Sequence, residues 1–344
     1  MTSREVRLRE AAVDPWSLVL FAGFLDSFAV VRTLSLVCRH FLQLSQEGVR
    51  LLDLHATKDA HTLLSRCVLP RYPHIGRLSI KWTSVSDVTL ASLAQGLPNL
   101  THLNLHGCTR ITDNGCHSIA LLTNLRFLDL SFCIGIGDLG LEHLRPLHLE
   151  TLKLAMCRRV SDVGMAFLHH MHSLRELDLS CTGVTSHGLP LVAIANLLML
   201  DVSGCRVDNA SVASVLTAAP GLWYASVAHC ELLTAQLWQL TKGSGLPALR
   251  VLVLRGARHL LALEGATERH ARLWAVLFAK QCPHLAFLDI AACDVPPELK
   301  KKLVEAMPRL VVDDGAIDFP LTCDCPHLPP PTRRTRITRQ ARPH

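Results

Sequence analysis

The sequence predicts an α/β solenoid, a horseshoe with a parallel sheet on its concave side and helices on its convex side, preceded by a small helical motif. Three observations carry this. A short apolar pattern, L-x-x-L-x-L-x-x-C, recurs along most of the 344 residues. Its starts, from residue 49 to residue 310, are separated by 26, 25, 25, 24, 25, 23, 25, 27, 36 and 25 residues. Within each copy the apolar residues alternate as in a strand with one buried face, and a stretch of helical character follows. One such unit cannot bury its apolar face alone, so neighbours must stack.

The copies run as follows. Val49, Leu52, Leu54 and Thr57 form the first unit, and Ile75, Leu78, Ile80 and Thr83 the second. Leu100, Leu103, Leu105 and Cys108 fit the full pattern, as do Leu125, Leu128, Leu130 and Cys133, and Leu149, Leu152, Leu154 and Cys157. Leu174, Leu177 and Leu179 follow, with Cys181 one place early. Then come Leu197, Leu200, Val202 and Cys205, a weaker Leu222, Ala225, Val227 and Cys230, and Leu249, Leu252, Leu254 and Ala257 without the cysteine. Leu285, Leu288, Ile290 and Cys293 restore it, and Leu310 begins a truncated last unit. Helical stretches are expected at 115–123 and 164–171. They follow Ile111-Thr112-Asp113 and Val160-Ser161-Asp162, and Val85-Ser86-Asp87 is a third such opening. An Asp or Ser there can accept hydrogen bonds from the free N–H groups of a helix start. Gly115, Gly140, Gly164 and Gly188 recur just afterwards, as tight packing requires. The combined pattern C-x-x-[IV]-[ST]-D-x-G resembles the cysteine-containing class of leucine-rich repeats, with about ten units over residues 49–312. Cys108, Cys133, Cys157, Cys205, Cys230 and Cys293 hold one position of the repeat and are expected inside it as reduced, apolar thiols. The 13 cysteines do not cluster as a disulfide framework does, which fits the cytoplasm or nucleus.

Ahead of the repeats, residues 14–44 carry apolar residues at 34, 37, 38, 41 and 44 with helical spacing. The run Leu36-Val37-Cys38-Arg39-His40-Phe41, with Pro15, Leu18, Leu20 and Phe21 before it, resembles an F-box. That three-helix motif binds the Skp adaptor of cullin–RING ubiquitin ligases. Asp14 stands where the family has a leucine before the proline, and the spacing on either side of Phe24 differs by one residue. A helical cap on the solenoid is the alternative, because a terminal repeat needs its apolar end covered. An F-box followed at once by cysteine-containing repeats is a recurring architecture. The resemblance implies adaptor contacts at Pro15, Leu18, Leu25, Leu34, Val37, Cys38 and Phe41, with a Skp-type adaptor and a cullin as partners. The expected division is an extension at 1–13, the F-box-like motif at 14–48, repeats at 49–312, a cap at 313–325 and a disordered basic Pro/Arg tail at 326–344.

Strand residues between the leucines face outward. The predicted substrate-contacting set is Lys81, His106, Phe127, Asp129, Lys153, Asp178, Asp201, Tyr224, Arg255 and Asp289. Aspartates recur in mid-strand at 129, 178, 201 and 289, and such a row favours a basic protein partner, unless each is simply a solvated residue common to such repeats. The net charge of +6 divides into +5 in the tail from residue 326, +1 in the first ten residues and 0 between them. The tail, with Arg333, Arg334, Arg336, Arg339 and Arg342, reads as a nuclear or nucleic-acid patch, a solubilising segment, or a segment docking on the concave face, as the family resemblance implies. The surplus length near 256–268 is either a binding loop or a tolerated surface insertion.

Several classes are disfavoured. Hydrophobic residues make up 49%, too many for a mainly disordered chain, yet no apolar run is long enough to span a bilayer, so no membrane partner is expected. Asp14, Pro15 and Asp26 around the apolar stretch 16–25, and the lack of a small-residue cleavage pattern, argue against a signal peptide. No phosphate-binding loop is present, since Gly135-Ile136-Gly137 lacks the third glycine. His102 and His106 are about 13 Å apart on an extended strand, too far for one zinc ion. Cys323, Cys325 and His327 lack a fourth ligand nearby. No cofactor, metal or catalytic residue is expected, and nucleic acid is disfavoured as a partner. The expected function is a non-catalytic substrate-recognition subunit of a Skp–cullin–F-box ubiquitin ligase, the alternative a repeat scaffold whose helical cap has no ligase role.

Overall fold

Among the described residues, eleven strands of three residues each form one parallel sheet in strict sequence order, β1 to β11. This computed structural model describes residues 51–54, 60–70, 72–192, 194–241, 243, 245–259, 268–293 and 295–314. The F-box-like segment, the segment 260–267, the Cys323–His327 group and the basic tail lie outside the described residues. The strands are β1 Leu51–Asp53, β2 Arg77–Ser79, β3 His102–Asn104, β4 Phe127–Asp129, β5 Thr151–Lys153, β6 Glu176–Asp178, β7 Met199–Asp201, β8 Tyr224–Ser226, β9 Val251–Val253, β10 Phe287–Asp289 and β11 Val311–Asp313. The central residues of β1 to β10, such as Leu103, Leu128 and Leu152, are buried, and Val312 of β11 is partly buried. Each such leucine contributes about 1.5–3 kcal/mol of burial.

The convex layer is α1 Ala60–Leu63, continued by a π-helical turn at Leu64–Val68, then α2 Asp87–Gly96, α3 Asp113–Ile119, α4 Asp138–Leu144, α5 Asp162–Leu168, α6 Asn209–Ala218, α7 Leu237–Leu240, α8 Glu268–Gln281 and α9 Pro297–Ala306. Helices α3 and α5 begin at the aspartate, two residues before the expected glycine, because Thr112 and Ser161 cap them by accepting from Asn114 N–H and Val163 N–H. The unit with the 23-residue interval has only a 3-10 turn, Leu189–Val192. Pro190 lies inside it and has no N–H to donate. Part of the surplus after Leu249 becomes helix: α8 has 14 residues, against 7 in α3, α4 and α5. The last strand sits one residue earlier than the Leu310 spacing implies, since Val311 pairs with Phe287 and Val312 with Leu288.

Two side-chain ladders tie one repeat to the next. Cys108, Cys133, Cys157, Cys205, Cys230 and Cys293 each donate an S–H to a main-chain carbonyl of the preceding repeat, at 3.0–3.3 Å. Burial pushes the Cys157 and Cys230 thiols up to about 12 and raises those of Cys133 and Cys116 as well. Cys181 is displaced because Thr182 takes the inward position and donates to Leu179 O at 2.7 Å; Cys181 itself is exposed. The second ladder runs along the helix starts. Asp87, Asp113, Asp138 and Asp162 reach forward to the next repeat: Asp138 accepts from Ser161 N–H (2.7 Å), Ser161 Oγ (2.6 Å) and Gly164 N–H (3.0 Å). This explains the recurring glycines. A Cβ at Gly115, Gly140, Gly164 or Gly188 would come within 2.3–2.7 Å of the preceding repeat's aspartate Oδ1.

The candidate concave binding face

The register sorts the outward residues into two columns across the sheet. Arg77, His102, Phe127, Thr151, Glu176, Met199, Tyr224, Val251, Phe287 and Val311 hold the first strand position. Asp129, Lys153, Asp178 and Asp201 follow one another in the third, with Asp289 and Asp313 further on. Lys81, His106 and Arg255 lie two residues beyond their strands. The ten sequence-selected residues therefore spread along nine repeats and do not converge on one pocket.

The aspartates are neither in mid-strand nor a free acidic row. Each closes its strand and turns back to accept the N–H two residues later: Ser131 on Asp129, Ser180 on Asp178, Ser203 on Asp201 and Ala291 on Asp289, at 2.8–2.9 Å. Asp129 and Asp289 are buried, and their carboxylates shape the turn that carries the chain out of the sheet. Asp129 and Asp289 are therefore not simply solvated, whereas Asp178 and Asp201 are partly exposed. Burial, helped by the Asp178 charge beside it, raises the Asp201 carboxyl to about 6; burial also raises Asp178, partly offset by hydrogen bonds from Ser180 and by Lys153. Arg255 is committed as well. Its Nε donates to Asp289 at 2.9 Å and a guanidinium NH2 to Asp313 at 3.4 Å, which holds the last two strands to β9.

A feature absent from the sequence reading sits at the corner just past the strands. One residue per repeat there adopts left-handed backbone: Trp82, Gly107, Phe132, Met156, Cys181, Gly204, His229, Gly256 and Ala292, with φ between +54° and +74°. The conformation is imposed by the ladder, since Trp82, Gly107 and Phe132 each donate an N–H to the next repeat, to His106 O, Ser131 O and Ala155 O. A side chain here costs roughly 1 kcal/mol relative to glycine. Trp82 nonetheless occupies it while 51% exposed. Its ring lies flat on Gly107, where a Cβ would come within 2.4 Å of it. The His106 ring is 5.1 Å from Trp82 and 5.0 Å from Phe132, and Trp82 and Phe132 are 5.8 Å apart. On the same face His102 stacks on Phe127 at 5.7 Å, and Lys153 Nζ stands 6.0 Å above the Phe127 ring. Burial and the neighbouring Arg77 charge lower the His102 pKa, with Glu150 opposing them. The signal in the sequence was an aromatic directly before the inward Cys or Thr, where other units carry glycine.

No cluster of metal-ligating side chains and no helix long and apolar enough to cross a membrane occurs among the described residues. A family model described as Leucine Rich repeat matches residues 96–120, 122–144 and 170–190. Toll-like receptor 4 of Bos taurus is 28% identical over 188 residues, which is 50% of this chain and 21% of the receptor, so the chain spans about a fifth of that relative. Among solved structures, an internalin (inlF) of Listeria monocytogenes strain 4b F2365 matches with a TM-score of 0.54 at 18% identity, over 83% of this chain and 72% of the other. A chain of the yeast Rad7 and Elc1 complex matches with a TM-score of 0.50 at 20% identity, over 91% of this chain and 90% of the other. These structural likenesses establish the fold.

Proposed function

Taking as premise that the chain is a leucine-rich-repeat protein, we propose that it is the substrate-recognition subunit of a Skp–cullin–F-box ubiquitin ligase. The observation that carries this reading is the Leu36-Val37-Cys38-Arg39-His40-Phe41 run placed immediately before a continuous eleven-strand parallel sheet. The 14–48 segment engages the adaptor through Pro15, Leu18, Leu25, Leu34, Val37, Cys38 and Phe41, and the concave face holds a protein target. The yeast Rad7 and Elc1 complex offers a precedent for the same fold in a two-protein assembly. The chain itself performs no chemistry. It raises the time a target lysine spends near the charged ubiquitin carrier, which is catalysis by proximity. Leu44 and Val49 are close in sequence, and so short a connection transmits orientation as well as distance.

Retention of a purified Skp-type adaptor on the immobilised full chain under reducing conditions, with Val37→Asp beside it, tests the proposal. The proposal expects the wild type to retain adaptor and the variant to lose it. Equal behaviour of the two, or no retention by either, leaves the alternative of an interaction scaffold with a helical cap.

A further inference from the structure

We propose that Asn114–Gly115 is a site of self-modification, at which the folded chain loses ammonia and converts Asn114 to a mixture of aspartate and isoaspartate. Of the six asparagines, Asn114 is the one that a glycine follows; leucine or alanine follows the others. A glycine there has no Cβ to hinder the approach of its nitrogen to the preceding side chain. Four of the other asparagines are also held in place. Asn104 Oδ1 accepts from His106 N–H, Asn124 and Asn196 donate to Pro98 O and His172 O, and Asn209 pairs with Thr234. Asn114 is exposed, and its carboxamide has no hydrogen-bond partner among the described residues.

The nucleophile is accessible as well. Asn114 is the second residue of α3, in the turn whose N–H groups have no partner further up the helix. Gly115 N–H bonds only to Thr112 O, at 2.9 Å. In the equivalent glycines of the next two repeats, Gly140 and Gly164, the N–H is also taken by the preceding repeat's aspartate, at 3.0 Å. Fraying of one turn bond therefore frees the Gly115 nitrogen, and fraying at a terminus is the lowest-energy opening a structure has. Solvent hydroxide removes the proton and the nitrogen attacks Asn114 Cγ. The new N–Cγ bond closes a five-membered imide as the Cγ–NH2 bond breaks, and the amide leaves as ammonia. Water then opens the imide at one of its two carbonyls, giving aspartate or, with the main chain now running through Cγ, isoaspartate. The sum is one water consumed and one ammonia released.

The two products differ in consequence. Aspartate leaves the main chain unchanged, whereas isoaspartate adds a methylene to it between residues 114 and 115. Gly115 is seated against Asp87, where even a Cβ would come within 2.5 Å of Oδ1. The lengthened chain cannot keep that seat. Asp87, which accepts from Thr112 N–H (2.9 Å) and Thr112 Oγ1 (2.7 Å), then loses its hold on the next repeat. The modification thus opens the carboxylate ladder at this rung.

Incubation of the folded full chain at mildly alkaline pH under reducing conditions, followed by peptide mapping with electron-transfer fragmentation, tests this. A synthetic peptide of residues 110–118, incubated beside it, sets the clock. By the time half of the peptide has reacted, Asn114 of the folded chain should carry both products while the other five asparagines stay intact. Asn114→Gln, whose ring closure would need six members, should lose no ammonia at this position and should keep the wild-type circular dichroism. In the aged wild type the Thr112 amide should exchange as two populations, the faster one matching the isoaspartyl fraction. An intact Asn114 when half of the peptide has reacted overturns the proposal, as does earlier conversion of another asparagine or equal ammonia loss at residue 114 in Asn114→Gln. Both products at Asn114 with a single Thr112 population uphold the modification and overturn its effect on the ladder.

Discussion

Substituting Gly164 by alanine should destabilise the solenoid even though alanine is the better helix former. The methyl would lie 2.5 Å from Asp138 Oδ1 and 2.8 Å from Leu141 Cδ1, well inside ordinary contact. Leucine can turn its methyl away. The carboxylate cannot move without giving up its bonds from Ser161 N–H, Ser161 Oγ and Gly164 N–H. Hydrogen bonds to a charged group contribute about 1.5–3 kcal/mol each, and losing two of them outweighs the roughly 1 kcal/mol that alanine returns in helix propensity. The net cost is about 2–5 kcal/mol. Asp138→Ala alone should cost a similar amount, since it leaves the Ser161 N–H without its acceptor. With the carboxylate gone, however, the added methyl meets no oxygen. The double variant should therefore be no less stable than Asp138→Ala and up to about 1 kcal/mol more stable. Urea unfolding of the four proteins, under reducing conditions, gives the coupling directly. Because repeat arrays can depart from two-state behaviour, exchange protection of the Ser161 and Gly164 amides should be followed in parallel. A Gly164→Ala variant within about 0.5 kcal/mol of wild type, or effects that simply add, would refute the ladder as the reason for the glycine.

Three further outcomes follow from the same contacts. Between the unfolded aspartate value of about 3.9 and about 6, the folded state retains the Asp201 proton that the unfolded chain has released, so this group's contribution to stability falls as pH rises through that window. Asp201→Asn, which can still accept from Ser203 N–H, should therefore raise the urea midpoint at pH 7.5 and lose most of that advantage at pH 4.5; an equal gain at both values contradicts this. Arg255→Ala takes the cation from two buried carboxylates and should cost about 3 kcal/mol, with exchange protection falling first in β10 and β11; uniform loss across the sheet would speak against a local clamp. In a thiol titration of the native chain with a disulfide reagent, Cys181→Ser should remove one reactive group, whereas Cys157→Ser and Cys230→Ser should remove none before unfolding.

The repeat period, the inward leucines and the cysteine position could be read from the sequence because each depends on a chemistry repeated ten or so times. Side-chain roles that cross from one repeat to the next were less visible. Asp138 and Gly164 look unrelated in a one-dimensional reading, and only stacking puts the carboxylate against the glycine. The acidic row was misread for a similar reason. Alternation correctly predicts which side of the strand Asp129 and Asp178 occupy, but not that the following turn bends their own N–H donors onto them. Trp82 and Phe132 escaped notice because they follow the strand, where the period-two pattern has ended and backbone conformation, not hydrophobicity, marks the position. Cys181 shows the converse: its apparent misplacement is Thr182 taking over the inward hydrogen bond.

The proposed function joins a ligase-adaptor module and a target-binding solenoid in one chain. Calorimetric titration of the full chain with purified Skp-type adaptor under reducing conditions tests it most directly. Saturable one-to-one binding is expected, abolished in Val37→Asp and unchanged in Trp82→Ala, on the concave side. Only heats of dilution with the wild type, or binding that Val37→Asp does not alter, would contradict it.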